Sequence, residues 1–190
     1  YDYHDFTLRP TKELKWETLT YLAHGASCTI VDKAYYEGTL NPLTYERIGE
    51  VFAEALAKKD FFGHEPLPEV AVYFSLRTRD WFGREEPIAY FSALMGAHKA
   101  LKEAHIPMAF LMDENISLEK LSPFPVLYLP NAAILSGKEI ALFKEYVGNG
   151  GNILATGLTG CYDEYGNPKE RCSLEELLGA KLLGLLTAYK

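Results

Sequence analysis

The chain has 190 residues, 48% of them hydrophobic and 24% charged, enough to bury a sizeable core and too apolar for a disordered polymer. A net charge of −7 and a pI near 5.3 argue against a nucleic-acid or anionic-membrane surface, which needs clustered Lys and Arg. No apolar run approaches the roughly 20 residues of a bilayer span, and Tyr1–Phe6 lack the basic start and apolar stretch of a signal peptide.

Leu14, Thr18, Leu19, Leu22, Ala23 and Ala26 recur at helical spacing, so residues 12–25 are expected to form an amphipathic helix with Thr11 as its cap and Gly25 as its stop. Cys28-Thr-Ile-Val31 then reads as a short strand with Cys28 buried. After a loop carrying Glu37-Gly38 and Asn41-Pro42, a second helix places Tyr45, Ile48, Phe52, Ala55 and Leu56 on one face. His64-Glu-Pro-Leu-Pro68 breaks regular structure and reads as a linker, giving expected domains of 1–63 and 69–190 joined by 64–68.

Beyond the linker the pattern alternates. Strands are expected at Val70–Phe74, Met108–Met112, Pro125–Leu129 and Asn152–Thr156, with helices at about 87–104 and 136–148. Near-continuous apolar strands separated by helices predict a parallel sheet covered on both faces, an α/β fold of the flavodoxin-like kind. Ser136 and Glu139 have capping-box spacing, and Gly148-Asn-Gly-Gly151 supplies a glycine stop. Ser173 and Glu176 repeat the capping-box spacing ahead of a short helix through Leu178.

Three cysteines make neither a disulfide framework nor a zinc set. Cys161 and Cys172 bracket Tyr165-Gly-Asn-Pro168, a loop that leaves two readings open, a disulfide in an oxidising compartment or two reduced thiols. His24 at a helix end reads as a partner of backbone carbonyls or of the helix dipole. The Arg77–Arg84 loop follows the first strand of the sheet, so Arg77, Arg79, Asp80 and Trp81 stand as candidates for contact with a ligand or a neighbouring subunit; the alternative is a solvated loop anchored by Trp81. Nothing in the composition calls for a cofactor or a metal.

On these residues a family resemblance can be stated. Leu22-Ala-His-Gly-Ala26, the following apolar run and Glu37-Gly-Thr-Leu-Asn-Pro42 resemble the end of the catalytic barrel in glycoside hydrolases of the α-L-fucosidase and family 42 β-galactosidase types. Val31 and Asp32 depart from the fucosidase pattern, so fucose specificity does not carry over. Pro125–Asn131, Gly150-Gly151 and Thr156-Gly-Leu-Thr-Gly160 with Asp163-Glu164 resemble the class I glutamine amidotransferase-like domain that follows the barrel in family 42, often called the trimerisation domain.

The resemblance implies the last β/α elements of a TIM barrel followed by a non-catalytic amidotransferase-like domain. It also implies a carbohydrate substrate bound through a parent enzyme, a homo-oligomer, and catalytic carboxylates upstream of Tyr1. The chain opens without Met and stops without an evident finishing element, and so reads as a fragment. Glycoside hydrolysis needs two carboxyl groups carried on βα loops, and Asp32, Lys33, Tyr35 and Tyr36 are the residues that would face the cleft. The local alternative has Asp32 capping or pairing nearby and the tyrosines packed.

At the turn where an amidotransferase places its cysteine nucleophile stand Leu158 and Thr159, and all five histidines precede the turn. A degenerate, structural turn is expected. The competing reading is an independent amidotransferase-like enzyme or binder with Cys161 as nucleophile.

Overall fold

A computed structural model describes residues 8–64, 67, 69–84 and 87–184. Most of the expected linker, the first seven residues and the last six lie outside that description. Contacts divide the chain into two compact units, with the division between Glu65 and Pro66.

The first unit is a helix pair, α1 (Thr11–Ala23) and α2 (Pro42–Ala57), packed through Thr18, Val51 and Ala55. Helix α1 starts on Pro10 rather than on a Thr11 cap. Its first turns are held instead by Arg9, whose guanidinium reaches Glu13 at 2.6 Å and Glu17 at 2.7 Å. Asn41 caps α2 by accepting from the Leu43 N–H at 3.0 Å, and Pro42 opens it without wasting a donor. Lys15 crosses to Glu54 at 3.0 Å.

Two further expectations fail in this unit. Residues 28–31 carry no ladder, because a strand needs a hydrogen-bonded neighbour and the described residues of this unit hold no other strand. Cys28 is accordingly half-exposed, its thiol 3.7 Å from Thr18 Oγ1. The second failure concerns the face of α2: the buried stripe runs through Val51 and Ala55, leaving Tyr45, Phe52 and Leu56 exposed. Helix α2 therefore has two apolar faces, of which α1 covers one.

The second unit is a four-stranded parallel sheet of β1 (Val70–Phe74), β2 (Met108–Met112), β3 (Val126–Pro130) and β4 (Asn152–Thr156) in the order β2-β1-β3-β4. Val70 pairs with Met108 on one side and Val126 on the other, and Val126 pairs with Asn152. This register puts Ala71, Tyr73, Leu127 and Leu129 on one face. There they form the core with Leu121, Phe124, Phe143, Tyr146 and Leu174, under α4 (Leu118–Leu121), α5 (Gly137–Gly148) and α6 (Glu175–Leu178).

The opposite face carries α3 (Pro87–Glu103), which seals Val70 and Val72 with Tyr90, Leu94 and Ala97. One helix is about 10 Å wide while four strands span nearly twice that, so a single helix covers the central pair and only part of β2, where His98 stacks on Phe110 at 6.1 Å between centroids. Phe110 and Met112 on β2 and Leu154 on β4, the last 50% exposed, are left open at the sheet's two edges. Coverage of both faces, expected from the strand sequences, thus holds at the centre and fails at the margins.

Ser136 and Glu139 form the capping box their spacing predicts, and α5 ends at Gly148 with Gly150 at φ +97. The second predicted box does not form. Helix α6 begins after Leu174, the Glu175 carboxylate takes the Cys172 N–H at 3.3 Å, and Ser173 accepts instead from Lys169 Nζ at 2.7 Å. Residues 78–82, expected as loop, wind into one π-helical turn whose entry is fixed by Ser75 Oγ accepting from the Thr78 N–H at 3.0 Å.

Candidate functional site

In an open parallel sheet, ligands bind beyond the carboxyl ends of the strands at the point where chain connections leave in opposite directions. With β2 and β3 on opposite sides of β1, that point lies between β1 and β3. The segments leaving it are Ser75–Thr78 after β1 and Asn131–Glu139 after β3, with Asp113 following β2 alongside.

These residues close on one another. The Glu139 carboxylate, 5% exposed, accepts from the Tyr73 hydroxyl through Oε1. Through Oε2 it accepts from Arg77 Nη1 at 2.9 Å and from the Ser136 N–H at 2.6 Å. Asp113 Oδ2 accepts from the Arg77 N–H at 3.1 Å and the Ser75 hydroxyl at 3.5 Å, and the Tyr90 hydroxyl accepts from the Ser75 N–H at 2.8 Å. Asp113 Oδ1 is buried without a hydrogen-bond partner.

Burial, then the nearby Glu139 charge, pushes the Tyr73 phenol well above its ordinary range, and burial alone does most of the same to Tyr90. Both phenols stay neutral donors or acceptors. Within this network Arg77 neutralises a buried carboxylate.

The strand ends also locate the turn after β4. Gly157 at φ +61 and Gly160 at φ +72 take the left-handed positions, and Thr159 between them does not. Its hydroxyl accepts from the Ala132 N–H at 3.1 Å and faces the carbonyls of Leu129 at 3.0 Å and Thr156 at 2.7 Å. Asn131, itself at φ +50, accepts from the Leu158 N–H at 2.9 Å. Leu158 and Thr159 therefore stitch β4 to β3.

Thr159→Val, which keeps the shape and removes the hydroxyl, should cost about 2 kcal/mol by stranding the Ala132 N–H. Urea denaturation of the two chains would measure it, and equal midpoints would show the hydroxyl to be dispensable.

Cys161 is 7% exposed and disulfide-bonded to Cys172, so the reading that makes it a nucleophile lacks a free thiolate. Arg79 and Asp80 pair with each other at 2.6 Å on the surface, the Asp80 carboxyl held below its ordinary range by that guanidinium. Trp81 is 57% exposed beside them. Of the four residues singled out in this loop, Arg77 alone joins the network.

In the first unit, Asp32, Lys33, Tyr35 and Tyr36 lie on one irregular segment. Asp32 Oδ2 is buried without a hydrogen-bond partner. The Tyr35 hydroxyl accepts from Asn41 Nδ2 at 3.3 Å, while Tyr36 is 97% exposed.

Glu139, Tyr73 and Asp113 were not singled out from sequence as site residues. Glu139 reads as a helix cap and Tyr73 as one more apolar strand position; only the place of Asp113, one residue past a strand, signals it. Among the described residues no group of three or more His, Cys, Asp or Glu could hold a metal ion, and no helix is long and apolar enough to cross a membrane. An open cleft of about 380 Å³ lies at the other end of the sheet, between Phe124, Pro125, Tyr146 and Gly151.

No protein-family model matches the sequence, and no curated protein matches it. Solved structures do. A β-galactosidase from Bacillus circulans sp. alkalophilus is similar over 95% of this chain and 30% of its own, with a TM-score of 0.73 at 17% identity. A catalytic mutant of Gan42B, a GH42 β-galactosidase from G. stearothermophilus, is similar over 88% of this chain and 27% of its own, with a TM-score of 0.67 at 21% identity. An α-L-fucosidase isoenzyme 2 from Paenibacillus thiaminolyticus is 26% identical over 80% of this chain and 22% of its own, with a TM-score of 0.62. The chain thus matches a domain-sized portion of these glycosidases and spans less than a third of their length.

Proposed function

We propose that this chain is a supporting region of a carbohydrate-active glycoside hydrolase. In this reading, residues 1–63 are the closing elements of a catalytic (β/α)8 barrel and residues 69–190 a non-catalytic, glutamine amidotransferase-like domain. The observation that carries it is the likeness to β-galactosidases across both units, for up to 95% of the chain. The second unit supports the non-catalytic half: its switch-point crevice is occupied by the Tyr73–Glu139–Arg77 network, and Thr159 is engaged where a nucleophile would stand.

Helix α2, with Phe52 and Leu56 exposed on a second apolar face, suits an element that packs against more of a barrel than this chain contains. In the parent enzyme Asp32, Lys33, Tyr35 and Tyr36 line the rim of the sugar cleft, and the catalytic carboxylates come from chain outside residues 1–190. Helix α3 turns Ile88, Phe91 and Met95 outward, a strip suited to a second copy, so the domain also supports a homo-oligomer. Arg79, Asp80 and Trp81 are available to the same contact.

The test pairs this chain with an N-terminally extended one, assayed side by side on aryl glycosides. Turnover by the extended chain alone is the expected result; turnover by neither removes the glycosidase reading. Light scattering on the same samples reads the oligomer, which Met95→Glu should dissociate.

A further inference from the structure

The Cys161–Cys172 disulfide closes a loop that does more than turn the chain. Tyr162 hydrogen-bonds the Ala133 carbonyl at 3.0 Å and its ring packs on Phe82 at 4.9 Å between centroids. Gly166 at the tip sits over Trp81 and Ile134, where a Cβ would lie 3.9 Å from Trp81 Cβ and 4.0 Å from Ile134 Cδ1. Phe82 and Trp81 belong to the turn after β1, and Ala133 and Ile134 to the segment after β3. The loop is thus a strap lying across both arms of the switch point.

Within the strap Asp163 organises a tight turn, its carboxylate accepting from the N–H groups of Tyr165 at 3.0 Å and Asn167 at 2.8 Å. That turn is local. Besides the disulfide, the strap's far arm is held by the Lys169 N–H on the Cys161 carbonyl at 2.8 Å, the Lys169 side chain on Ser173 at 2.7 Å, the Arg171–Glu175 pair at 3.5 Å and, just past it, the Ser173 N–H on the Gly160 carbonyl at 2.9 Å.

We propose that Cys161 and Cys172 form a redox-sensitive clasp that holds residues 162–171 across the β1/β3 switch point and releases them when reduced. The chemistry is thiol–disulfide exchange with a dithiol reductant. The dithiol's thiolate attacks one sulfur, and a mixed disulfide forms and resolves. The protein gains two thiols while the reductant becomes the disulfide, a transfer of two electrons and two protons. A disulfide oxidant of the glutathione class runs the exchange backwards. Release uncovers Ile134 and the covered part of Phe82. The clasp stands independently of the glycosidase reading.

The experiment equilibrates the chain with oxidised glutathione or with dithiothreitol, without denaturant, and counts reactive thiols by alkylation and mass measurement. Two of the three cysteines being bonded, one thiol, that of Cys28, is expected under oxidising conditions and three under reducing ones. Trypsin should cut after Lys169 and Arg171 at least about tenfold faster in the reduced chain, because opening of the strap becomes the easy local transition. The melting temperature should fall by about 10 °C on reduction.

Three reactive thiols under oxidising conditions would overturn the proposal. So would a bond that yields to dithiothreitol only in denaturant, or cleavage and melting indifferent to reduction. Cys172→Ser in a Cys28→Ser background should reproduce the reduced behaviour under both conditions; should it fail to fold, the comparison of the two redox forms still decides.

Discussion

Glu139→Ala is expected to destabilise the second unit by about 3 kcal/mol, with most of the loss coming from the groups the carboxylate leaves behind. Four donors converge on it: the Tyr73 hydroxyl, Arg77 Nη1, and both the N–H and the hydroxyl of Ser136. The Tyr73 hydroxyl is buried in the core and would lose its carboxylate acceptor, while the N-terminus of α5 would lose half of its capping box. The Arg77 guanidinium is partly solvated, which limits its share.

Glu139→Gln keeps the shape and one acceptor oxygen and should lose about 1 kcal/mol, chiefly the charge-assisted part of the Arg77 contact. Urea unfolding followed by circular dichroism would separate the two. A Glu139→Ala chain as stable as the parent would mean that the network fills the crevice without holding it. The denaturant slope should stay unchanged in both variants, since neither alters the surface exposed on unfolding.

The same residue marks where sequence reading reaches its limit. Capping-box spacing predicts the local role of Glu139 correctly, because that role depends on residues three apart in the chain. Its partners Tyr73 and Arg77 lie 66 and 62 positions away and are brought near by the order of strands in the sheet, which no local pattern specifies.

The β-strands of the second unit are legible to within one residue because buried parallel strands are continuously apolar. Their exposed margins are not, since whether Phe110 or Leu154 is covered depends on how many helices lie across the face. In the first unit Cys28–Val31 has strand composition without a strand to pair with, so propensity fails for want of a neighbour. The two faces of α2 were merged into one by a periodicity that registers apolar positions and cannot say which helix they meet. At the turn after β4 the sequence shows Leu158 and Thr159 between two glycines, whereas the stitching by the Thr159 hydroxyl is visible only in three dimensions.

Gly150 and Gly151 are adjacent and chemically identical, yet alanine should act on them for different reasons and with different force. Gly150 sits at φ +97 with nothing within 4 Å of where a Cβ would stand. Gly150→Ala therefore meets only backbone strain, about 1–2 kcal/mol. Gly151 has no such constraint on φ, but a Cβ there would lie 2.2 Å from Cζ of Tyr146 and 2.4 Å from its Cε1.

The Tyr146 ring cannot easily retreat, being buried in the core with its hydroxyl bonded to the Phe124 carbonyl at 2.8 Å. Gly151→Ala should thus cost about 3 kcal/mol, at the upper end for overpacking. Tyr146→Leu removes the atoms in the way while losing the ring's packing and its hydrogen bond. In the double variant the clash vanishes, so the two losses should fall short of additive by about 2 kcal/mol. Additive losses would place the strain of Gly151→Ala in the backbone between α5 and β4 and not in the contact with the ring.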